Sequence, residues 1–516
     1  MDQIIPAQKV ASSSWKDRIK GCIRRVCRAQ GLNVFYATLC VIDLFGVFPI
    51  VALPGALISC GYYGIPLLIF VLTIQVYTAI VLGRCWIIAE KLDPSITDKK
   101  RCPYAAVGEL SYGRRMRTFV NILLNVTVFG AGIPNILVAS QNLQLIGQRI
   151  SNDEFQFSFC YWLVLLGIVL CPVMWLGSPK NMKTIASVSV VTVLTTSILI
   201  WIGILEDDSI SSESFEGIRL DQPDYITMLK VYGMIAFQFD IHPMLMTIEV
   251  DMQNKRGIGN AVCYGLAATC TLSVITTILA AHQYGISTAA NILEMLPNTN
   301  LLYVVTLLVT VQLCLSHAVG SSALFQNIEE FLHIPRDFNI WRCILRSIII
   351  ILAVTIAELL PQFDLVMGII GGTLTGPMIF ILPPLFYNKL IRMERDYDEQ
   401  NERETFNRQL TIATSDDDIF NSDREQELRR NNHHYNTTTT TVDSYGTFAK
   451  QPNRFIPRQE CLLCFCNDSS ICIAVIVFGL IVTITSTYFN VVTISNNFDD
   501  FRSPCIQNIS ASFGEL

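Results

Sequence analysis

The chain alternates between long apolar runs and shorter polar stretches. A helix needs about 20 mainly apolar residues to cross about 30 Å of hydrocarbon, and eleven runs meet that requirement. The pattern therefore predicts an all-α polytopic membrane protein with eleven transmembrane helices. The predicted spans are 33–60, 62–88, 118–146, 157–176, 184–204, 226–248, 259–283, 301–326, 343–361, 364–388 and 471–495.

The polar stretches predict the orientation and the domain organisation. All but four of the 37 Lys and Arg residues fall on one side of the membrane, and such residues mark the cytosolic side. We therefore expect a cytosolic N-terminus and an extracellular or lumenal C-terminus, in a plasma, vesicular or lysosomal membrane. The predicted segments are a basic N-terminal segment (1–32), a ten-helix core (33–388), a disordered cytosolic loop (389–468), the eleventh helix (469–495) and an outer tail (496–516) with a glycosylation sequon at Asn508.

Composition and motifs argue against several classes of protein. Only 16% of the residues are charged, whereas a soluble protein usually carries about 25%. The glycine-rich stretch "GIIGGTLTG" (368–376) lies within a span and lacks the Lys-Ser/Thr ending of a nucleotide-binding loop. There is no zinc motif and no hydrolytic triad pattern. We expect no enzyme activity, no cofactor or metal and no nucleic-acid partner; the expected surroundings are membrane lipid.

Prolines interrupt two of the spans. Pro49 and Pro54 lie in the first, and Pro243 lies in the sixth. Proline removes a backbone donor and clashes with the preceding turn, so both helices are predicted to break near their midpoints. Interrupted helices at corresponding places in two halves indicate a transporter binding site. The spacing of five spans suggests inverted repeats, 33–204 and 226–388, with one helix appended.

Four ionisable residues lie deep in the predicted spans: Asp43, Asp240, His242 and His317. A charge at the centre of a span costs about 2.5–3.5 kcal/mol, so such residues usually face a cavity, pair or change protonation state. In a continuous helix Asp240 and His242 would point about 200° apart, but an unwound segment lets them share a cavity. Capping of a half-helix by Asp240, with His242 bonded to free carbonyls, is the alternative. For Asp43 and His317, a polar contact between packed helices is the alternative.

Polar and small residues form a stripe on the third span and a weaker one on the eighth. Side chains on one helix face either line a cavity or pack against another helix, and the sequence leaves both interpretations open. The stripe residues are Asn121, Asn125, Gly132 and Asn135 on the third span, and Gln312, Ser316, Gly320 and Asn327 on the eighth.

Several stretches together resemble the amino acid/auxin permease superfamily, which includes vesicular inhibitory and proton-coupled amino acid transporters. They are "VALPGALISCGYYGIPLLIFVLTIQVYTAIVLGRC", "PYAAVGELSYGRR", "AFQFDIH" and "FDLVMGIIGGTLTGPMIFILPPLFY". The resemblance implies a leucine-transporter-type 5+5 inverted-repeat fold that moves amino acids, often with protons. It also implies that backbone at the two broken helices binds the substrate, here around Phe48–Leu53 and Phe237–His242.

Two positions depart from the family pattern. Ile241 stands where the F-x-F-x-G-H pattern has glycine, and Ala52 stands where a glycine usually precedes Leu-Pro. A side chain at either position is expected to reduce access to the backbone and the room for a substrate's α-carbon.

The leading prediction is a secondary active transporter of small neutral amino acids that is proton-coupled and works by alternating access. The alternatives are a sodium-coupled transporter, with Ser321 and Ser322 as cation ligands, and an amino acid sensor with little flux. The predicted substrate-binding residues are Phe48, Val51, Ala52, Leu53, Asn125, Phe237 and Phe239, and the predicted proton-coupling residues are Asp240, His242 and Asp43.

Overall fold

A computed structural model describes the chain in eight stretches. It consists of helices, with an isolated β-bridge between Leu32 and Met252. The described residues are 31–99, 102–151, 159–175, 182–207, 223–335, 339–360, 362–431 and 469–496. Residues 1–30, 432–468 and 497–516 lie outside them, and the last of these ranges contains the predicted sequon at Asn508.

The helices follow the predicted apolar runs in order. Helices α1 and α2 correspond to the first run, and α8 and α9 to the sixth. The helices are α1 (Val34–Phe45), α2 (Phe48–Ser59), α3 (Gly64–Leu92), α4 (Pro103–Tyr112), α5 (Arg114–Ile150), α6 (Phe159–Trp175), α7 (Met182–Leu205), α8 (Tyr225–Gln238), α9 (His242–Asp251), α10 (Ile258–Gln283), α11 (Asn300–Phe331), α12 (Ile340–Leu359), α13 (Phe363–Ile370), α14 (Leu382–Asn431) and α15 (Ser469–Asn496).

The described residues include eight helices long and apolar enough to cross a membrane, or nine if α1 and α2 count as one bent span. Helix α6 is apolar but has only 17 residues, and the sixth run is divided into helices of 14 and 10 residues. The predicted count of eleven is therefore not confirmed by helix length and composition. Helix α14 begins in the predicted tenth span and continues to Asn431, within the segment predicted to be a disordered loop.

The first break lies between α1 and α2, which meet at an angle of 57°. Gly46 has φ 58° and ψ −148° there, a conformation that is essentially restricted to glycine. Pro49 is the second residue of α2, and Pro54 lies inside that helix. The break lies near the middle of the predicted span 33–60, as the sequence predicts, and both prolines belong to α2. Proline is well tolerated in the first turn of a helix, so the break precedes Pro49.

The second break separates α8 from α9 at residues 239–241. Pro243 is the second residue of α9, as Pro49 is of α2. The predicted interruption of the sixth run is therefore present, and Asp240 lies in its non-helical segment.

Helices α13 and α14 are joined by two π-helical segments, Gly371–Thr375 and Pro377–Ile381. A Cβ atom on Gly371 would come within 1.8 Å of the Gly233 carbonyl oxygen, so α8 packs directly on this backbone. The Asn490 side chain of α15 donates to the Gly368 carbonyl oxygen at 3.0 Å. The packing of α8 places these π-helical segments next to the second break. Such segments occur frequently at functional sites.

Candidate functional site

A cavity of about 150 Å³ lies between the two breaks. Its wall is formed by residues of α1, α2, α5, α8, α9 and α11 and by Thr375 of the first π-helical segment. The ionisable residues in the wall are Asp43, Asp240 and His317. The two interrupted runs are thus brought together around one largely apolar cavity that contains these three ionisable residues.

The α8–α9 break places Asp240 at the cavity wall and His242 behind it. The Asp240 Oδ1 atom accepts a hydrogen bond from the backbone N–H of His242 at 3.0 Å, so Asp240 occupies the N-terminal end of α9. The His242 Nδ1 atom lies 3.4 Å from the same oxygen. His242 is completely buried and is absent from the lining. The two side chains are therefore adjacent, but only the carboxyl group reaches the cavity.

The hydrogen bonds around His242 indicate where a proton can reside. Its Nε2 atom lies 3.0 Å from the Thr78 hydroxyl, which also lies 3.1 Å from the carbonyl oxygens of Ile74 and Gln75. When Thr78 donates to either carbonyl, its oxygen accepts from Nε2–H. The neutral ring then turns an unprotonated Nδ1 toward the Asp240 carboxylate. Two acceptors this close favour a shared proton, since neither can donate to the other.

Asp43 belongs to a second polar cluster at the cavity wall. Its carboxylate lies near the Ser189 hydroxyl of α7, and the Gln312 side chain of α11 donates to that hydroxyl at 2.5 Å. Gln312 also lies 3.5 Å from the Ser316 hydroxyl. This cluster joins α1 to α7 and α11, so Asp43 both faces the cavity and connects three helices.

His317 of α11 forms the opposite side of the wall. Its Nδ1 atom lies 3.3 Å from the Ser321 hydroxyl, and its Nε2 atom has no hydrogen-bond partner among the described residues. A Cβ atom on Gly132 of α5 would come within 2.3 Å of the His317 ring. The glycine in the α5 stripe therefore makes room for the imidazole.

Two aromatic pairs connect the breaks. The rings of Phe48 and Phe237 have centroids 6.4 Å apart in an edge-to-face arrangement, and both line the cavity. Phe45 and Phe239 form a similar pair at 5.5 Å, but Phe239 is completely buried and lies outside the lining. Both rings of the first pair therefore face the cavity, whereas in the second pair Phe45 lines the cavity and Phe239 packs behind it.

A family model described as "transmembrane amino acid transporter protein" matches residues 32–414. The chain belongs to this family. The match includes both breaks and every residue of the cavity wall, and it confirms the predicted amino acid/auxin permease resemblance. The protein is thus an all-helical, multi-pass membrane protein of an amino acid transporter family.

Individual relatives are distant but extensive. The chain is 24% identical over 357 residues to amino acid transporter AVT1J of Arabidopsis thaliana, covering 66% of this chain and 79% of that protein. It is 23% identical over 364 residues to the vesicular inhibitory amino acid transporter of Xenopus laevis, covering 67% and 68%. The crystal structure of MhsT in complex with L-phenylalanine gives a TM-score of 0.46 at 10% identity, over 71% of this chain and 97% of that one. That structural likeness is too distant to assign the inverted-repeat fold.

Only some of the predicted site residues of this family member reach the cavity. Those in its wall are Phe48, Phe237, Asp43, Asp240 and Ser321.

The remaining predicted site residues lie elsewhere; Val51, Ala52 and Leu53 do so because they belong to α2 and pack into the core. The Asn125 side chain accepts a hydrogen bond from Asn327 at 3.0 Å, which favours the packing interpretation of that part of the stripe. The residues outside the wall are Val51, Ala52, Leu53, Phe239, His242, Asn125 and Ser322.

The two departures from the family pattern, Ala52 and Ile241, are each 1% exposed and lie outside the cavity wall. Neither side chain occupies the space between the breaks.

Sequence reasoning missed two polar residues of α3. Thr78 holds His242, and the Gln75 side chain donates at 3.0 Å to the Ala236 carbonyl oxygen near the end of α8. Both are buried, and they stand one helical turn apart in an otherwise apolar run. A paired polar interruption of this kind is a signal that could have directed attention to α3 as the helix that supports the second break.

Proposed function

We propose that the protein is a proton-coupled secondary active transporter of small neutral amino acids that works by alternating access. The observation that carries this proposal is the shared cavity at two helix breaks, with Asp240 in its wall and His242 3.4 Å behind. Membership of an amino acid transporter family supports the substrate class. It also argues against an enzymatic function.

The open end of α2 is the proposed site for the substrate carboxylate. Helix α2 has no side-chain cap at its N-terminus, and Val47 and Phe48 line the cavity. Pro49 has no N–H and the Ile50 N–H bonds the Val47 carbonyl oxygen at 3.0 Å, so this end offers an anion the Phe48 N–H and the positive end of the helix dipole. The carboxylate of Asp43 or Asp240 is available for the amino group. A volume of about 150 Å³, bounded by Phe48 and Phe237, favours a small side chain.

The Asp240–His242 pair is the proposed proton carrier. One proton between Nδ1 and Oδ1 relieves the contact between two acceptors, and its loss restores the repulsion. Because Asp240 also holds the first backbone N–H of α9, a change in its charge acts directly on the α8–α9 break. Protonation is thereby coupled to the geometry of the helix that closes the cavity.

Sodium coupling and sensing are the alternative functions. Ser321 lines the cavity but Ser322 does not, so the two predicted hydroxyls do not form one cation site in this conformation. Asp43, with the hydroxyls of Ser189 and Ser316 nearby, offers oxygen atoms that suit sodium better. The sensor alternative is favoured by the long 389–468 segment and by the departures at Ala52 and Ile241, but neither of these two side chains lies in the wall.

We further propose the predicted membrane arrangement. Eleven helical runs would span the bilayer as a 5+5 inverted repeat (33–204 and 226–388) plus α15, with a cytosolic N-terminus and the 389–468 segment in the cytosol. Each of the two breaks is followed by proline at the second residue of the next helix. This shared feature supports a repeat relation between 33–204 and 226–388.

The test is uptake of radiolabelled small neutral amino acids into proteoliposomes that hold the full-length protein. An imposed pH gradient is expected to drive accumulation without sodium, and a protonophore is expected to abolish it. Accumulation that needs a sodium gradient instead would establish the sodium alternative. Substrate-induced thermal stabilisation without flux under either gradient would establish the sensor.

A further inference from the structure

Glu249 is a buried carboxyl group outside the cavity. It lies on α9, about 10 Å along the helix axis from His242. It is 0% exposed and does not line the cavity. Neither of its carboxyl oxygens has a hydrogen-bond partner among the described residues. A fully sealed acid with no donor is unusual, because buried polar groups are nearly always hydrogen-bonded.

The carboxyl group is enclosed by α3. A Cβ atom added to Gly83 would lie 3.5 Å from Oε2 and 3.7 Å from Oε1 of Glu249, so the α3 backbone closes over both oxygens. A larger residue at position 83 would also meet Ile258 at 2.8 Å. The interface between α3 and α9 thus contains a carboxyl group with no exposed surface.

Three charged or titratable groups among the described residues interact electrostatically with Glu249. They are Lys255, which follows α9 in the chain, and Glu90 and Cys85 of α3. The Lys255 ammonium forms an ion pair with Glu90 and lies 5.7 Å from the centre of the Trp86 ring. Because Lys255 is already paired, it does not form a salt bridge with Glu249 in this conformation.

These surroundings determine the charge state of the group. Burying an ionised carboxylate without a paired charge or hydrogen-bond donors costs several kcal/mol, and such a group becomes neutral instead. Separation of α9 from α3 would admit water and bring Lys255 within reach, and the ionised form would then be stable. The sealed interface therefore favours the protonated acid, and the open interface favours the carboxylate.

We propose that Glu249 is a second proton-binding site, which is protonated while the α3–α9 interface is sealed and ionised when that interface opens toward the predicted cytosolic side. On opening, the proton passes from the carboxyl group to water on that side. On closing, a proton returns to the carboxylate, from water on the same side if Glu249 acts alone and from Asp240–His242 if it serves as their proton exit. The role of Glu249 in coupling, as the proton exit for Asp240–His242, rests on the proposed function. The binding of a proton by Glu249 in the sealed interface is independent of that function.

Cys85 is a natural reporter of this opening. It is a free thiol with no exposed surface, two residues from Gly83 on α3, and its Sγ donates at 3.9 Å to the Pro383 carbonyl oxygen of α14. Maleimide labelling of Cys85 in the full-length protein, quantified on its peptide by mass spectrometry, measures how often α3 separates from its neighbours α9 and α14. Comparing variants at the same pH removes the common pH dependence of the thiol reaction, and an ionised Glu249 near Cys85 disfavours the reactive thiolate, so this direct effect slows wild-type labelling and opposes the expected rise.

Wild type, Glu249→Gln and Glu249→Leu are the variants to compare, with Glu294→Gln as the matched control. Glu294 is an exposed carboxyl in the loop between α10 and α11. As the pH rises from about 5 to about 8, the labelling of wild type relative to either neutral Glu249 variant is expected to rise several-fold. The ratio of wild type to Glu294→Gln should stay constant.

A ratio of wild type to both neutral variants that does not change with pH would overturn the proposal. Glu249→Leu keeps the test decisive if the unpaired amide of Glu249→Gln prevents folding. The same experiments distinguish failure of the proposed function from failure of this proposal. If uptake ignored the pH gradient while Cys85 labelling still followed Glu249, the coupling role would be lost and the proton-binding site would stand.

Discussion

The two helix breaks share the position of a proline but differ in the hydrogen bonding at the start of the following helix. In each, proline is the second residue of the following helix. The N-terminus of α2 has no side-chain cap, whereas Asp240 bonds the first backbone N–H of α9. The first break therefore leaves a positive helix end open to the cavity, and the second supplies its own anion. This difference suggests that the first break receives the substrate carboxylate and the second handles the proton.

The means of holding the two breaks also differ. Gly46 takes a backbone conformation that other residues rarely adopt, and its neighbourhood leaves little room, because a Cβ atom would lie 3.3 Å from the Ser316 hydroxyl. The second break is held by side chains, namely Asp240, His242 and Thr78. We expect substitutions to separate a sterically fixed break from one fixed by hydrogen bonds.

The largest effect is expected from the aromatic pairs that join the breaks. Phe239→Ala removes a fully buried ring that packs on Phe45 and should cost about 3–5 kcal/mol of unfolding free energy. Phe237→Ala removes a ring at the cavity and should weaken substrate affinity with a smaller loss of stability. Thermal unfolding and substrate binding measured on both variants check this. Equal losses of stability would show that Phe237 is a packing residue.

The next largest effect is expected at Gly46. Gly46→Ala forces a side chain into a glycine-only backbone region, at about 1–3 kcal/mol, and should lower thermal stability and transport together. Gly320→Ala is the matched control on the same cavity, since a Cβ atom there meets nothing within 4 Å. If both alanine variants unfolded at the wild-type temperature, the first break would not be fixed by Gly46.

A smaller effect is expected at Thr78. Thr78→Val leaves His242 Nε2 buried without its partner, at about 1–3 kcal/mol, and should shift the pH dependence of uptake because the ring can change its tautomer. Thr73→Val, which loses only a bond to its own helix at Ile69, should have neither effect. A pH profile unchanged by Thr78→Val would mean that α3 does not tune the second break.

The sequence was informative where the helices are regular. Length and hydropathy located the apolar helices, and the deep polar residues pointed to Asp43, Asp240 and His317, which line one cavity. Pro243 predicted the interruption beside Asp240. These inferences succeed because insertion costs and helix geometry act locally along the chain.

The sequence was least informative at the breaks themselves. The backbone that the resemblance assigned to the substrate, Phe48–Leu53, belongs to α2 and not to the break, and Val51, Ala52 and Leu53 lie outside the wall. The direction of His242 depends on Thr78, which is 164 residues away in the chain. Glu249 was overlooked because it stands just beyond the predicted span, and only packing against Gly83 seals it. Such features require tertiary contacts that local patterns do not contain.

The most direct test of the account is whether protons move with the substrate through Asp240. Amino acid entry into proteoliposomes with a pH-sensitive dye inside should acidify the lumen for wild type. Asp240→Asn should still exchange amino acid but move no protons, whereas Asp224→Asn, which changes an exposed aspartate at the start of α8, should behave as wild type. Proton movement that persists in Asp240→Asn alongside amino acid entry would contradict the assignment of the second break as the proton site.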